Sequence, residues 1–318
     1  MLRSIVMMMM AARVKVAFMK LLTTCATQVA PYGVAASQGY VFVANYTSNS
    51  VSMYSDTNGL LTLIIHYTVN VGVHPYGIAT DAAGHVFVSS CSDYLIRSYT
   101  NTGTALNLIG SASTDTNPYI INASLPGYVM ATNLTSSTIT VYTNTAGVLV
   151  RVSTYTCPAG AAPLSIATDS AGHIFVCYPS LNQVASFSMS GGVLTLIGTY
   201  ATGAYPYSVT VDANNHVFVA NEGGSTLSSF SNANGVLTLI GTYATGTNPY
   251  AVTVNAAGLV LVANVTSNDV TVFSNANGVL TLIGTYATGI TQPGAAVIDS
   301  TDHLILTSYN GNTVSSFS

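Results

Sequence analysis

Seven prolines punctuate the chain at near-constant intervals. Pro31, Pro75, Pro118, Pro163, Pro206, Pro249 and Pro293 are spaced 44, 43, 45, 43, 43 and 44 residues apart. Such a period marks a chain that sets copies of one supersecondary unit side by side, because a unit this small cannot bury its own apolar face. Around the prolines the chain reads N-P-Y-x-V-x-x-D-A-x-G-H-V-F-V-A-N, then T-V-x-x-F-S-N-x-N-G-V-L-T-L-I-G-T-Y-A-T-G. The segment SNANGVLTLIGTYATG stands unchanged at 231–246 and 274–289, and its latter part recurs at 192–203. Identity at that level points to recent duplication of whole units.

Each unit holds four strand signals separated by turn signals. In the fifth unit strand a is expected over Tyr207–Asp212, b over His216–Asn221, c over Ser225–Ser231 and d over Val236–Tyr243. Strand b is apolar at consecutive positions (Val217, Phe218, Val219, Ala220), as a strand buried on both faces requires. Strand d alternates, as suits a rim. No helical apolar period runs through the repeats. The pattern predicts an all-β fold, a seven-bladed β-propeller with four antiparallel strands per blade.

The last unit reaches only strand c, at Thr313–Ser318, while Met19–Tyr32 aligns without gaps on Leu237–Tyr250. The N-terminal strand is therefore expected to close the last blade, which leaves no open seam. The propeller is expected over 16–318. Residues 1–15, with a basic start and a short apolar run, read as an extension or a degenerate signal segment, or Met19 is the start.

Charge narrows the function classes. Charged residues are 5% of the chain, against about 25% in an ordinary soluble domain. Solubility falls to Ser, Thr, Asn and Tyr, a surface that suits an extracellular or cell-surface setting better than the cytosol. Of six Lys and Arg residues, Arg3, Arg13, Lys15 and Lys20 lie in the first twenty, leaving Arg97 and Arg151 for the body. No basic stripe exists for nucleic acid or anionic lipid. No run reaches the roughly 18 apolar residues of a membrane span.

No cofactor or metal is expected. Cys25, Cys91, Cys157 and Cys177 show no C-x-x-C spacing and read as small packing side chains. Asp81, Asp169, Asp212 and Asp299 open the a–b turns, where carboxylates bond their own backbone. His85, His173, His216 and His303 each open strand b of a different blade, so the ring spreads them apart. They read as neutral imidazoles bonded to turn backbone.

Topology divides the loops: a–b and c–d turns share one face, b–c and d–a loops the other. The second face carries Tyr32, Tyr76, Tyr119, Tyr207 and Tyr250 after the prolines and Asn45, Asn133, Asn221 and Asn264 at the b–c loops. His74 and Glu222, the one glutamate, fall there too. Phenol faces and amides suit an uncharged polar ligand such as a saccharide. Recurring in most blades, the same residues also serve to pack the channel and close the loops. Asn45, Asn122, Asn133 and Asn264 fit the glycan acceptor pattern, which arises by chance in so Asn-, Ser- and Thr-rich a chain.

The stretches YATGTNPYAVTVNAAGLVLVANVTSNDVTVFS (Tyr243–Ser274) and FVANYTSNSVSMYS (Phe42–Ser55) resemble the YVTN-type propellers and the seven-bladed lactonase (6-phosphogluconolactonase-like) family. The resemblance covers about residues 16–318. It implies hydrolysis of sugar or related lactones by His, Glu and Arg side chains in the channel mouth. Here Arg97 falls in strand c and Arg151 in strand d, so His74 and Glu222 are the candidate mouth acid or base, and a phosphorylated substrate meets no cation.

Two functions follow as expectations. One is a non-catalytic extracellular or surface propeller that binds a small polar ligand, a saccharide or another surface protein, or assembles with itself. The alternative is a lactone hydrolase using His74 or Glu222.

Overall fold

The computed structural model describes residues 19–68 and 74–318. The extension expected at 1–15 lies outside the described residues. Turn chemistry sets the strand register. In the c–d hairpins of the fifth and sixth blades, Asn234-Gly235 and Asn277-Gly278 all have positive φ, 53°, 83°, 54° and 82°. Two such residues make the two-residue turn whose twist matches that of the strands. Ala233 accordingly pairs with Val236, and Ala276 with Val279.

Seven four-stranded antiparallel sheets result, ordered a to d from the axis outward. In the fifth blade the strands are Pro206–Val211, Val217–Asn221, Thr226–Ala233 and Val236–Ala244. His216 lies just outside strand b, with its N–H and its ring both held by Asp212. Pro179–Leu181 and Glu222–Gly224 form short 3-10 turns. The seventh sheet is closed as expected: Leu21–Ala26 runs antiparallel to Thr313–Phe317, with Cys25 opposite Val314 and Ala26 opposite Thr313.

The core lies between blades. Val217, Phe218, Val219 and Ala220 are all fully buried, because strand b is covered on both faces. Phe218 packs towards Val252 and Val260 of the next blade, while Val217 and Val219 pack back on Phe175 and Cys177. Each large side chain so buried contributes about 1.5–3 kcal/mol. Strand d buries little, and Val236 and Leu239 remain half exposed at the rim.

The a–b face is knotted by Asp, His and Asn. Asp81 Oδ1 accepts the backbone N–H of Ala83 and His85, while its Oδ2 meets His85 Nδ1 at 2.8 Å and accepts from Asn144 Nδ2 of the next blade at 2.9 Å. Asp169–His173–Asn232 and Asp212–His216–Asn275 repeat the knot. The aspartates thus do start the turns. The imidazoles bond the aspartate carboxylate rather than turn backbone, since the carboxylate is the stronger partner.

At the closing seam the pattern changes. Asp56 replaces the asparagine, capping Gly59 N–H at 2.9 Å as the asparagines cap their own glycines. It faces Asp299, which also holds His303. Burial, then the Asp299 carboxyl, pushes the Asp56 carboxyl up to about 6. Burial opposes the ionisation of Asp299, but hydrogen bonds from His303 backbone and from Asp56 outweigh it and lower its pKa. Protonated Asp56 can donate to ionised Asp299 as the asparagines donate elsewhere.

The signs follow from linkage. The raised Asp56 stabilises at low pH and loses that contribution as pH rises through about 6. The lowered Asp299 loses its contribution as pH falls below the ordinary carboxylate range. The seam is best paired between. Asp56→Asn should stabilise the ring at pH 8 by about 1 kcal/mol after solvent screening, or about 2 °C in calorimetric melting temperature, and by less at pH 5. Equal melting of variant and wild type at pH 8 would refute a shared proton.

Candidate functional site

The residue before each repeat proline is left-handed. Ala30, His74, Asn117, Ala162, Tyr205, Asn248 and Gln292 have φ between 44° and 60°. For residues with a side chain this is strained by about 1–2 kcal/mol each, so something must hold them. The backbone N–H groups of His74, Tyr205, Gln292 and Ala30 donate to the side-chain oxygens of Asn49, Asn182, Asn268 and Asn312, at 2.7–3.0 Å. Each of these asparagines belongs to the b–c loop of the preceding blade. The carbonyls of His74 and Gln292 accept from Cys91 and Tyr309, the residues just beyond strand b. The d–a and b–c loops are thereby fixed as one face.

On that face the proline-linked tyrosines converge at the axis. The Tyr76 hydroxyl lies 3.0 Å from that of Tyr207 and 2.9 Å from that of Tyr250, and the Tyr119 hydroxyl 3.1 Å from that of Tyr207. Tyr119 also donates to Tyr76, and Tyr207 to Tyr250. Rings stack at 3.7 Å between Tyr76 and Tyr119 and at 4.5 Å between Tyr32 and Tyr76. Burial first, then the crowding of the phenols, holds Tyr76, Tyr207 and Tyr250 neutral far above the ordinary phenol range. The phenols plug the channel and remain donors at any working pH.

The plug divides the axis. Below it is a cavity of about 160 Å³ lined by Gly33, Gly77, Ser165, Ser208, Ala251 and Ala295. Gly77 is required there, since a Cβ would strike the Tyr119 carbonyl. Above it the mouth has two recesses. One, of about 230 Å³, is lined by Tyr32, Tyr46, Tyr76, Cys91, Asn117 and Tyr119. The other, of about 180 Å³, lies by Tyr32, Tyr250, Gln292, Gly294 and Tyr309. Tyr46 and Tyr309 were not singled out from the sequence. They stand in the column just beyond strand b, which elsewhere holds Cys91, Leu134, Pro179, Glu222 and Val265, so no repeat consensus marked them.

The four asparagines are corrected. Asn45, Asn133, Asn221 and Asn264 are fully buried at the end of strand b and do not face a ligand. Their amides reach inward to strand c: Asn45 to Ser50 and Ser52, Asn133 to Thr138 and Thr140, Asn221 to Thr226 and Ser228, Asn264 to Asp269 and Thr271. Burial also bars Asn45, Asn133 and Asn264 as glycan acceptors. Tyr207 lines the lower cavity, Tyr119 walls the larger mouth recess, and Tyr32, Tyr76 and Tyr250 border both the cavity and a recess.

His74 and Glu222 are not brought together. The His74 ring stacks on Tyr46 at 4.6 Å, with Nδ1 2.5 Å from Ser92 Oγ. Glu222 sits half-buried across the ring beside Asn248, and burial raises its pKa. Arg97 is buried against Ser90 and Asp93, and Arg151 pairs with Asp115 at 2.6 Å. Among the described residues no group of three or more His, Cys, Asp or Glu is placed to hold a metal ion. No helix there is long and apolar enough to cross a membrane.

Two outcomes follow. Asn221→Ala strands hydroxyls of strand c and should destabilise by about 1–3 kcal/mol in denaturant unfolding, without altering ligand affinity. In a spectrophotometric titration of the 20 tyrosines, the plug phenols should stay un-ionised at about pH 11 and appear only on unfolding. Full ionisation of the native protein there would contradict the plug.

The family described as lactonase, 7-bladed beta-propeller, matches residues 5–297. No curated protein matches significantly. Among solved structures, virginiamycin B lyase from Staphylococcus aureus is 15% identical, covering 94% of this chain and 99% of that one, with a TM-score of 0.75. A periplasmic gluconolactonase from Pseudomonas aeruginosa is 19% identical over 83% of this chain and 86% of its own, with a TM-score of 0.73. A putative 6-phosphogluconolactonase from Bacteroides fragilis is 18% identical over the same shares, also at 0.73. At these identities the likeness to the solved structures is one of fold, while the family match spans most of the sequence. The chain belongs to the seven-bladed β-propeller lactonase family.

Proposed function

We propose that this protein hydrolyses an uncharged lactone at the tyrosine-walled mouth. The observation that carries the reading is the family match over residues 5–297. It favours the hydrolase over the non-catalytic scaffold. Opening a lactone needs a base to activate water and donors for the oxyanion that develops on the carbonyl. At the larger recess the Tyr76 and Tyr119 phenols already donate within the plug, so the Tyr46 hydroxyl and the Asn117 amide are the donors this reading assigns to that oxyanion. His74 is the base this reading favours. With Nδ1–H donating to Ser92, Nε2 keeps its lone pair, and the ring backs on Tyr46 of the same recess. Glu222 is remote from both recesses.

The substrate class follows from charge. Arg97 and Arg151 are both paired with aspartate, so a phosphate would enter the mouth without a cation, forgoing about 1.5–3 kcal/mol per charge-assisted bond. A placement outside the cytoplasm is part of the proposal, supported by the low charge of the chain and by a structural neighbour described as periplasmic.

Turnover of glucono-1,5-lactone should exceed that of its 6-phosphate by about tenfold or more in kcat/KM. His74→Ala should lower kcat by about 10²–10⁴, and Glu222→Gln should leave at least half the activity. Absence of turnover on either lactone, with saturable binding of the neutral one, would return the protein to the binding-propeller reading. That reading has its own support: the described acids, bases and cations do not converge.

A further inference from the structure

The smaller recess has a cause that can be read from the repeat. The column after the prolines holds Tyr32, Tyr76, Tyr119, Leu164, Tyr207, Tyr250 and Gly294. In the seventh blade, therefore, the tyrosine is missing. The backbone does not ask for glycine there. Gly294 is not among the residues of positive φ, and a Cβ would meet only the Thr307 hydroxyl at 3.2 Å and the Thr307 carbonyl at 3.9 Å. Gly33 and Gly77 differ, since a Cβ on either would strike a neighbouring backbone carbonyl. What Gly294 does is leave room for a ring.

The room is built for a ring as well as empty of one. Tyr250 of the preceding blade and Tyr32 of the following blade form its walls, and Tyr309 covers it, 4.5 Å from Tyr32. The volume is about 180 Å³; cavities of about 150 Å³ take a benzene ring. Gln292, Val265 and the phenol hydroxyls complete a lining that carries no formal charge. A ring seated as the other tyrosines sit would bring its hydroxyl to the Tyr250 hydroxyl, and so to the Tyr76 and Tyr207 hydroxyls beyond it.

We propose that the recess at Gly294 is a binding site for an uncharged, phenol-like ring, supplied by a ligand where five of the other blades supply it from their own chain. Aromatic faces at stacking distance favour such a ring over a saturated one, and the closed hydroxyl cluster favours a neutral donor over an anion. The inference is read by binding alone and holds whether or not the chain turns over lactones.

Calorimetric titration with p-cresol tests it. Wild-type protein should bind one equivalent with Kd of about 1 mM or tighter, and p-toluate about tenfold more weakly. Gly294→Tyr restores the residue of five other blades, so it should fold and lose p-cresol binding by about tenfold or more. Tyr309→Ala, on a loop, should weaken it by about fivefold and serves where Gly294→Tyr does not fold. No saturable binding by wild type up to about 10 mM overturns the proposal, as does unchanged affinity in either variant.

Discussion

The antiparallel pairing of Leu21–Ala26 with Thr313–Phe317 is the contact on which the rest depends. A linear array of sheets has two ends, each a face of apolar side chains needing a cap. Here the first strand enters the last sheet. Val41, Val43 and Tyr54 of the first blade then pack against Ile305 and Val314 of the seventh. Only a closed ring brings the proline-linked tyrosines to a common axis, and only there can their hydroxyls bond one another. The seam repeats the inter-blade knot with one change, a carboxyl for an amide at Asp56, and burial with the Asp299 carboxyl raises that group to about 6.

Consensus and exception divide the labour. The residues that recur build: Asp and His tie the a–b turns, Asn45 and its equivalents clamp strand b to strand c, and Asn49, Asn182, Asn268 and Asn312 hold the mouth loops. The residues that depart from the repeat make the mouth uneven. Gly294 opens one recess, Tyr46 and Cys91 border the other, and His74 stands behind it. Seven equivalent positions around an axis cannot by themselves make a site with distinct acid, base and donor. A binding or catalytic reading therefore rests on the exceptions.

Much of the fold was legible. Proline spacing supplied the blade number, consecutive apolar residues in strand b marked double burial, and the gapless match of Met19–Tyr32 to Leu237–Tyr250 foretold the closure. These are local or periodic signals, and periodicity survives in one dimension. The site was less legible. Asn45, Asn133, Asn221 and Asn264 look like loop amides in the sequence, yet as the last residues of strand b their side chains turn inward to strand c. The tyrosines were placed on the correct face, but that they satisfy one another depends on distances across the ring, between residues up to 174 apart.

The sequence by itself determined the repeating unit, the number of blades, the strand that closes them and the scarcity of charge at the mouth, because each is a property of pattern or composition. Tertiary structure alone decided which polar groups are spent on one another and which remain for a ligand. Hydrogen bonds and stacking between blades depend on convergence at the axis, and no spacing along the chain encodes that distance. Gly294 shows the difference: in the sequence it is a lapse in a column of tyrosines, and in the ring it is a pocket.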